Sequence, residues 1–177
     1  MTHKTIDTPR GTVHYWVSKT NQKSPTIVFS HGVTADHTLF EKQVEYFEGK
    51  CNIITWDIPL HGLSSPYADF SYQHCAQDLA SILNAERIDK AVLVGMSLGG
   101  YPSQAFAETY PHRVTGMVAL DTTPFGLKYY SKSDIWWLKR VAPLANLYSE
   151  KFLKQSMAKA VSMTPYSVDL MNRVLPP

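Results

Sequence analysis

Long apolar runs, cysteines and low-complexity segments are scarce in this sequence, and each scarcity excludes a class of protein. No apolar run approaches the length of a transmembrane helix, and residues 1–7 lack the apolar core of a signal peptide. Two cysteines, Cys51 and Cys75, are too few for a disulfide framework, and both lie in apolar-patterned segments typical of buried free thiols. The sequence therefore predicts a cytoplasmic protein that does not span a membrane.

Charge of either sign is also modest, but it is unevenly distributed. The 177 residues carry 17 lysines and arginines against 15 acidic residues, a net charge of +2. Residues 125–177 hold eight of the bases and three of the acids, so this part of the chain is +5 and the rest is −3. Because the lysines there alternate with apolar residues, the pattern favours a solvated helix face over a nucleic-acid-binding surface.

Short apolar strands alternate with amphipathic helices through the first 120 residues. A hydrophobic content of 44% over this length is typical of one globular domain with a sizeable core. Strand and helix in alternation, with short connections, predict an α/β fold: a mostly parallel sheet flanked by helices. Strands are predicted at 11–17, 26–30, 52–56, 91–94 and 114–120, and helices at about 39–47, 72–83 and 98–110.

Glycine spacing marks one stretch as chemically distinctive. Gly95-Met96-Ser97-Leu98-Gly99 matches the Gly-x-Ser-x-Gly pattern of a nucleophile elbow, between an apolar strand and a helix. In such a turn the serine has a strained backbone, and the glycines leave room for the adjoining strand and helix. A helix beginning at Leu98 would direct its free N–H groups at an oxyanion formed by attack of Ser97. A serine that merely caps a helix is the alternative interpretation.

Three more loops are expected beside Ser97. In a parallel sheet, ligands bind beyond the C-terminal ends of the strands. Residues 30–33, 57–64 and 121–124 each follow a predicted strand. The sheet edge that these loops share is therefore the predicted site.

The alternation of strands and helices stops after residue 124. Apolar residues at helical spacing then predict helices without intervening strands. We expect residues 1–124 to form the core and residues 125–177 to form a helical cap or lid over the site, with Trp136 and Trp137 in the substrate pocket. The alternative is that these helices pack on the sheet as part of its core.

Four motifs, in order along the chain, resemble those of the α/β-hydrolase family. The sequence is similar to the family's small esterase, lipase and cofactor-free-peroxidase-like members, which have a helical cap. The resemblance covers about residues 10–125. It rests on His31-Gly32, Asp57-x-x-x-His61-Gly62-x-Ser64, Gly95-Met96-Ser97-Leu98-Gly99-Gly100 and Asp121-Thr122-Thr123-Pro124.

This resemblance implies a role for residues in each loop. Val33 and Leu98 would supply the oxyanion N–H groups, and Gly32 would let the backbone approach the substrate. Asp57 and His61 would shape the loop beside the site rather than act as acid and base. The residues expected to line the substrate pocket in the core are His31, Gly32, Met96 and Thr122.

The sequence departs from the family's triad, which runs serine, acid, histidine along the chain. After Ser97 the only histidine is His112, roughly 18 Å away at the far end of the predicted helix. His31 and His61 lie at the right edge, but each would lose its loop role if it turned to act as base. Asp121 is a candidate acid; the alternative is a carboxylate that orders its own turn. The chain is therefore expected to be truncated within the cap.

Two functions remain open at this point. One is a serine hydrolase that acts through Ser97 on a small hydrophobic ester or related acyl substrate, without a metal or organic cofactor. Lacking a base, the 177-residue chain would have little activity. The other is a non-catalytic binding or interaction protein that retains the fold. Missing strands would leave an open sheet edge, which favours self-association.

Overall fold

The computed structural model describes residues 1–124, 126–145 and 164–174 of the chain. The chain divides into two compact units, residues 1–123 and residues 124–177. Within the first unit, all of which is described, six strands and three α-helices form an α/β fold.

Six strands of the first unit form one sheet. Their bounds are β1 (Thr2–Thr8), β2 (Gly11–Ser18), β3 (Thr26–Ser30), β4 (Asn52–Trp56), β5 (Ala91–Met96) and β6 (Val114–Leu120). The strand order is β1-β2-β4-β3-β5-β6. β4, β3, β5 and β6 run parallel to one another, whereas β2 pairs antiparallel with both β1 and β4. The predicted fold class, a mostly parallel sheet flanked by helices, is confirmed.

The central strands are buried on both faces, which explains their apolar sequences. Every residue of β4 is buried, and so are four of the five residues of β3. Strands covered on both faces need a nearly continuous apolar run rather than an alternating one. At the centre Trp56 is fully buried, and its indole N–H donates to the Ser30 hydroxyl at 2.9 Å.

Three α-helices flank this sheet: α1 (Glu41–Phe47), α2 (Tyr72–Ala85) and α3 (Gly100–Thr109). α2 begins at a side-chain cap, because the Ser71 hydroxyl accepts the His74 N–H at 3.1 Å. The helix packs against α3, and one of its faces is apolar. That face consists of Cys75, Ala76, Leu79, Ile82 and Leu83, all buried.

The predicted strands do not include β1. Most of its residues are exposed, and it lies at the edge of the sheet, so no apolar alternation marks it. The turn into β2 holds it in place: the Thr8 hydroxyl donates to the Gly11 carbonyl at 2.8 Å and accepts the Arg10 N–H at 3.1 Å. An edge strand specified by its turn carries little signal in its own side chains.

The described part of the second unit is helical. It contains α4 (Lys132–Ala145) and α5 (Pro165–Val174). At the start of α4 the Asp134 N–H donates to the Ser131 hydroxyl at 3.1 Å, and the Ser131 N–H donates to the Asp134 carboxylate at 3.0 Å. The helical pattern expected at residues 152–163 lies outside the described residues, and the role of this unit as a cap stays a prediction.

Candidate functional site

Ser97 lies at the turn between β5 and α3. β5 ends at Met96, and the 3-10 turn Ser97–Gly99 leads directly into α3. The backbone φ of Ser97 is +49°, in the left-handed region. Such a conformation costs a non-glycine residue about 1–3 kcal/mol. The serine therefore occupies the strained strand–helix turn that its sequence context predicts.

Close backbone packing explains the two glycines that flank this turn. Neither has a positive φ, so conformational freedom is not the reason for them. A Cβ at Gly95 would meet the carbonyl oxygen of Gly99, and a Cβ at Gly99 would overlap the carbonyl oxygen of Ser30 at the end of β3. The glycines thus seat the turn against both the helix and the neighbouring strand.

The loop after β3 brings a second backbone segment to Ser97. A Cβ added to Gly32 would lie 3.7 Å from the Cβ of Ser97. The Gly32 carbonyl oxygen accepts hydrogen bonds from the His31 ring at 2.8 Å and from the Ala35 N–H at 3.2 Å. In a trans peptide the N–H of Val33 points away from this carbonyl. The two hydrogen bonds therefore fix the direction of the Val33 N–H.

His31 supports this loop from beneath. Its side chain is 1% exposed, so it has almost no surface left for a substrate. Nδ1 contacts the Gly32 carbonyl, and Nε2 accepts the Ile58 N–H at 2.9 Å. Since a carbonyl only accepts and an N–H only donates, the ring is neutral with its proton on Nδ1. Burial lowers the pKa of His31 to about 4, in keeping with that state.

The loop after β4 is held by a buried carboxylate, that of Asp57. It accepts three hydrogen bonds of 2.8 Å, from the His37 N–H, the His37 ring and the Leu63 N–H. Burial alone would raise the pKa of Asp57, but these hydrogen bonds outweigh it and lower the pKa. The Trp16 ring stacks on His37 with 3.3 Å between centroids. No sequence pattern marks His37, because its partner Asp57 lies twenty residues away.

The histidines do not complete a catalytic pair with Ser97. Within the described residues, which include all seven histidines, no hydrogen bond joins an imidazole to the Ser97 hydroxyl. The His61 ring meets His31 edge-on at 5.2 Å, and its Nδ1 lies 3.2 Å from the Pro59 carbonyl oxygen. His112 is exposed in the turn after α3, at the end of the helix away from Ser97.

Asp121 follows β6 at the same sheet edge as Ser97. Parallel pairing of β5 with β6 aligns Met96 with Leu120, the last residues of the two strands. Ser97 and Asp121 therefore directly follow the ends of adjacent strands. Both have a φ of +49°. Asp121 is exposed, and the side chain of Thr122 packs against the first residue of α3. The candidate acid is therefore adjacent to the candidate nucleophile in the fold.

Three further residues are expected in the substrate pocket: Met96, Trp136 and Trp137. Met96 is the half-buried last residue of β5. Trp136 lies on α4 and is 50% exposed, with the Arg140 guanidinium 4.4 Å from its ring centroid. The side chain of Trp137 lies outside the described residues. The place of all three in a pocket stays a prediction.

The described residues offer neither a disulfide bond nor a cluster of metal-binding side chains. Cys51 and Cys75 are free, and burial raises the pKa of Cys75 to about 12. Among the residues that the structure describes, no three histidine, cysteine or acidic side chains are grouped to hold a metal ion. No helix in that part of the chain combines the length and hydropathy of a membrane span.

The chain matches the family model described as alpha/beta hydrolase fold over residues 25–174. It is similar to 2-(acetamidomethylene)succinate hydrolase of Mesorhizobium japonicum, with 33% identity over 102 residues, covering 57% of this chain and 37% of that protein. It also resembles esterase YbfF of Escherichia coli, with 40% identity over 73 residues, covering 41% of this chain and 29% of that protein. A solved hydrolase structure from Pseudomonas aeruginosa PA01 has a TM-score of 0.76 at 18% identity, covering 98% of this chain and 66% of that one. The matched segments thus span about a third of the curated relatives.

Proposed function

Since this chain belongs to the alpha/beta hydrolase fold family, we propose that it is a serine hydrolase of small hydrophobic esters or related acyl compounds, with Ser97 as nucleophile. The observation that carries this proposal is the left-handed Ser97 between β5 and α3, with the Gly32 loop beside it. The names of the curated relatives, a hydrolase and an esterase, support the reaction class.

In the proposed reaction the Ser97 Oγ attacks the carbonyl carbon of the ester and gives up its proton. The carbonyl oxygen becomes an oxyanion, which the N–H groups of Val33 and Leu98 receive. The hydrogen bonds to the Gly32 carbonyl hold the Val33 N–H in place before the reaction begins. A donor fixed in this way is typically worth about 10²–10³ in kcat.

The Ser97 hydroxyl must pass its proton to a base, and no histidine among the described residues is placed to accept it. A serine hydroxyl is a weak nucleophile without an adjacent base. His31 is committed to two backbone groups, and His112 is at the wrong end of α3. We therefore propose that the base comes from outside the 177 residues and that Asp121 serves it as a candidate acid. Loss of the base costs on the order of 10⁶ in turnover.

A non-catalytic binding protein is the second candidate. The observation that favours it is the Ser97 hydroxyl without a histidine partner among the described residues. The two candidates differ in one property. A hydrolase that lacks only its base regains turnover when a base is added, whereas a binding protein does not.

Chemical rescue tests the proposal. We expect the purified 177-residue protein to hydrolyse p-nitrophenyl butyrate slowly and to accelerate when imidazole is added to the buffer. Ser97→Ala should remove the protein-dependent part of that acceleration, because the attacking oxygen is gone. Ser81→Ala, an exposed serine on α2, is the matched control and should behave as the unchanged protein.

Two results would contradict parts of this proposal. Equal rates for the unchanged protein and Ser97→Ala across the imidazole series would exclude Ser97 as nucleophile and favour the binding protein. Fast turnover without imidazole that disappears in Ser97→Ala would keep the nucleophile but show that the chain contains its own base. His61→Ala would then be the next variant to measure.

A further inference from the structure

A cavity of about 270 Å³ lies between α1 and the strands β2 and β4. Trp16 of β2, Thr55 of β4 and Val44 of α1 are among the residues that line it. None of its described lining residues belongs to β6 or to the loops around Ser97. β2 and β4 each have a neighbouring strand on both sides. The cavity is therefore a feature of the interior of the sheet and is separate from the candidate active site.

Thr55 brings a buried hydroxyl to this cavity. The residue is 2% exposed, and no described residue lies within hydrogen-bond reach of its Oγ1. Thr55 pairs directly with Trp16 across β4 and β2, so the two side chains point to the same face of the sheet. Both line the cavity, so the hydroxyl faces it. Leaving a buried hydroxyl unsatisfied is unfavourable, and a ligand that bonds to it removes that cost.

His37 and Thr38 add two further acceptors. Nδ1 of His37 lies 2.8 Å from the carboxylate of Asp57, whose pKa is lowered by its hydrogen bonds, so Nδ1 carries the proton. Nε2 of the neutral ring is then an acceptor, and it makes no hydrogen bond with any described residue. The Thr38 hydroxyl donates its one hydrogen to Asp36 at 2.6 Å, which leaves its oxygen as an acceptor.

Three carboxylates line the same cavity, those of Glu41, Glu45 and Glu48. Part of their charge is already balanced. Glu45 forms an ion pair of 2.7 Å with Lys42, and the Met1 ammonium lies 3.7 Å from Glu48. Three carboxylates against two ammonium groups leave this side of the cavity negative. The cavity therefore combines hydrogen-bond acceptors with a potential that favours a cation.

We propose that this cavity binds a small primary amine, an ammonium group carried on an apolar body. An ammonium has three N–H donors and no acceptor, so it matches Nε2 of His37, Oγ1 of Thr55 and a carboxylate from α1. An anionic ligand would instead meet acceptors and negative charge. This binding does not depend on the proposed reaction of Ser97.

The aromatic wall of the cavity limits how the amine is held. Both faces of the Trp16 ring are covered, by His37 with 3.3 Å between centroids and by His3 with 4.6 Å. Only the ring edge is left for the cavity, so a cation–π contact is not available there. The ammonium is held by the acceptors, and the apolar body packs against the Trp16 edge and Val44. At the roughly 30 Å³ that a molecule of liquid water occupies, 270 Å³ holds about nine non-hydrogen atoms.

Calorimetric titration with three ligands of similar shape tests the ligand chemistry. Phenethylamine should bind, phenethyl alcohol should bind roughly tenfold more weakly because it has no charge, and phenylacetate should not bind. The affinity for the amine should fall as salt is added. Equal affinities for the amine and the alcohol would reduce the site to an apolar cavity and overturn the proposal, and so would binding of phenylacetate.

Variants of Thr55 test the hydroxyl. Thr55→Val keeps the shape of the side chain and should weaken amine binding by about tenfold, because one hydrogen bond to the ammonium is lost. Its midpoint temperature of unfolding should be unchanged or higher, since an unpaired hydroxyl is removed. Thr55→Ser keeps the hydroxyl and should retain the affinity. Thr115→Val, at an exposed threonine on β6, is the matched control and should bind as the unchanged protein does.

The carboxylates are tested in the same titration. The double variant Glu41→Gln/Glu45→Gln should bind the amine several-fold more weakly, because two negative charges are removed from the lining. Glu108→Gln removes one exposed charge from α3 and should leave the affinity unchanged. An equal effect of the two changes would show that net charge, rather than this cavity, attracts the amine.

Amide chemical shifts locate the bound amine. Phenethylamine should shift the amide signals of residues 38, 44 and 55 and leave those of residues 97 and 121 in place. Ser97→Ala should bind the amine as the unchanged protein does. Shifts confined to residues 97 and 121, with weaker binding by Ser97→Ala, would assign the amine to the candidate active site. That result, an unchanged affinity in Thr55→Val, or no binding of the amine by the unchanged protein would each overturn the proposal.

Discussion

Replacing His31 with asparagine should make the protein less stable at neutral pH and less sensitive to acid. The asparagine amide can take the place of Nδ1 and donate to the Gly32 carbonyl. It cannot reach the Ile58 N–H, which then has no acceptor for its hydrogen atom. A buried N–H without a partner costs about 1–3 kcal/mol. We expect His31→Asn to lower the free energy of unfolding by that amount at pH 7.

The acid sensitivity follows from the depressed pKa of His31. Burial lowers this pKa to about 4, below the ordinary value of 6.5. Between these two values the unfolded chain binds a proton that the native ring does not, so native stability falls as the pH falls. The gap corresponds to about 3 kcal/mol, lost between about pH 6.5 and pH 4, with no further contribution below that range.

Urea unfolding at pH 7.0, 5.5 and 4.5 measures both effects. As the pH falls over this range, the free energy of unfolding of the unchanged protein should drop steeply, whereas that of His31→Asn should drop much less. At pH 4.5 the variant should be at least as stable as the unchanged protein. His112→Asn, an exposed histidine, is the matched control and should follow the unchanged protein. Parallel pH curves for the unchanged protein and His31→Asn would refute the assignment of a buried, neutral His31.

Three further changes test other contacts. Gly99→Ala should reduce stability by several kcal/mol or prevent folding, because the added Cβ overlaps the Ser30 carbonyl. Gly116→Ala is the control, and its midpoint temperature of thermal unfolding should be unchanged or higher, since a Cβ there meets nothing closer than 3.9 Å. Ser97→Gly should raise the free energy of unfolding by ~1 kcal/mol in urea, because glycine tolerates a φ of +49°; an unchanged or lower value would contradict strain at this turn. Glu86 has a pKa of about 2, since hydrogen bonds from two lysines and a tyrosine outweigh the opposing effect of burial. Glu86→Gln should therefore cost about 2 kcal/mol above pH 4.5, and the difference should vanish as the pH falls towards 2; a difference that persists at pH 2 would contradict this.

The strands that form the centre of the sheet were predictable because burial dictates their composition. β3 and β4 have the predicted bounds, since a strand covered on both faces must be apolar throughout and ends where polar loop residues begin. β6 also has its predicted bounds, although most of its residues are exposed. The strained turn at Ser97 was predictable for a related reason. Glycines on both sides of a serine, between a strand and a helix, leave few other conformations that avoid overlap.

Contacts between distant residues were not predictable in the same way. His31-Gly32 was recognised as a motif, but only the structure shows that the ring of His31 is buried and joins the loops after β3 and β4. His37 was missed altogether, because its role depends on Asp57 and on stacking with Trp16. The partners in these contacts are far apart along the chain and follow no helical or strand spacing. The sequence therefore gives the residue types but does not indicate which residues pair.

The two left-handed residues at the site edge bear on the choice between a hydrolase and a binding protein. Ser97 and Asp121 each cost about 1–3 kcal/mol, and the surrounding packing must hold them there. The Thr123 carbonyl accepts a hydrogen bond of 3.0 Å from the Gln104 amide, and its hydroxyl lies 2.7 Å from that of Tyr101, so the turn after β6 is fixed to α3. Glycine at either strained position would give the same fold at lower cost. A chain that needed only the fold has no need of a strained serine and a strained aspartate at the ends of adjacent strands, so these two positions support the proposed hydrolase over the binding protein.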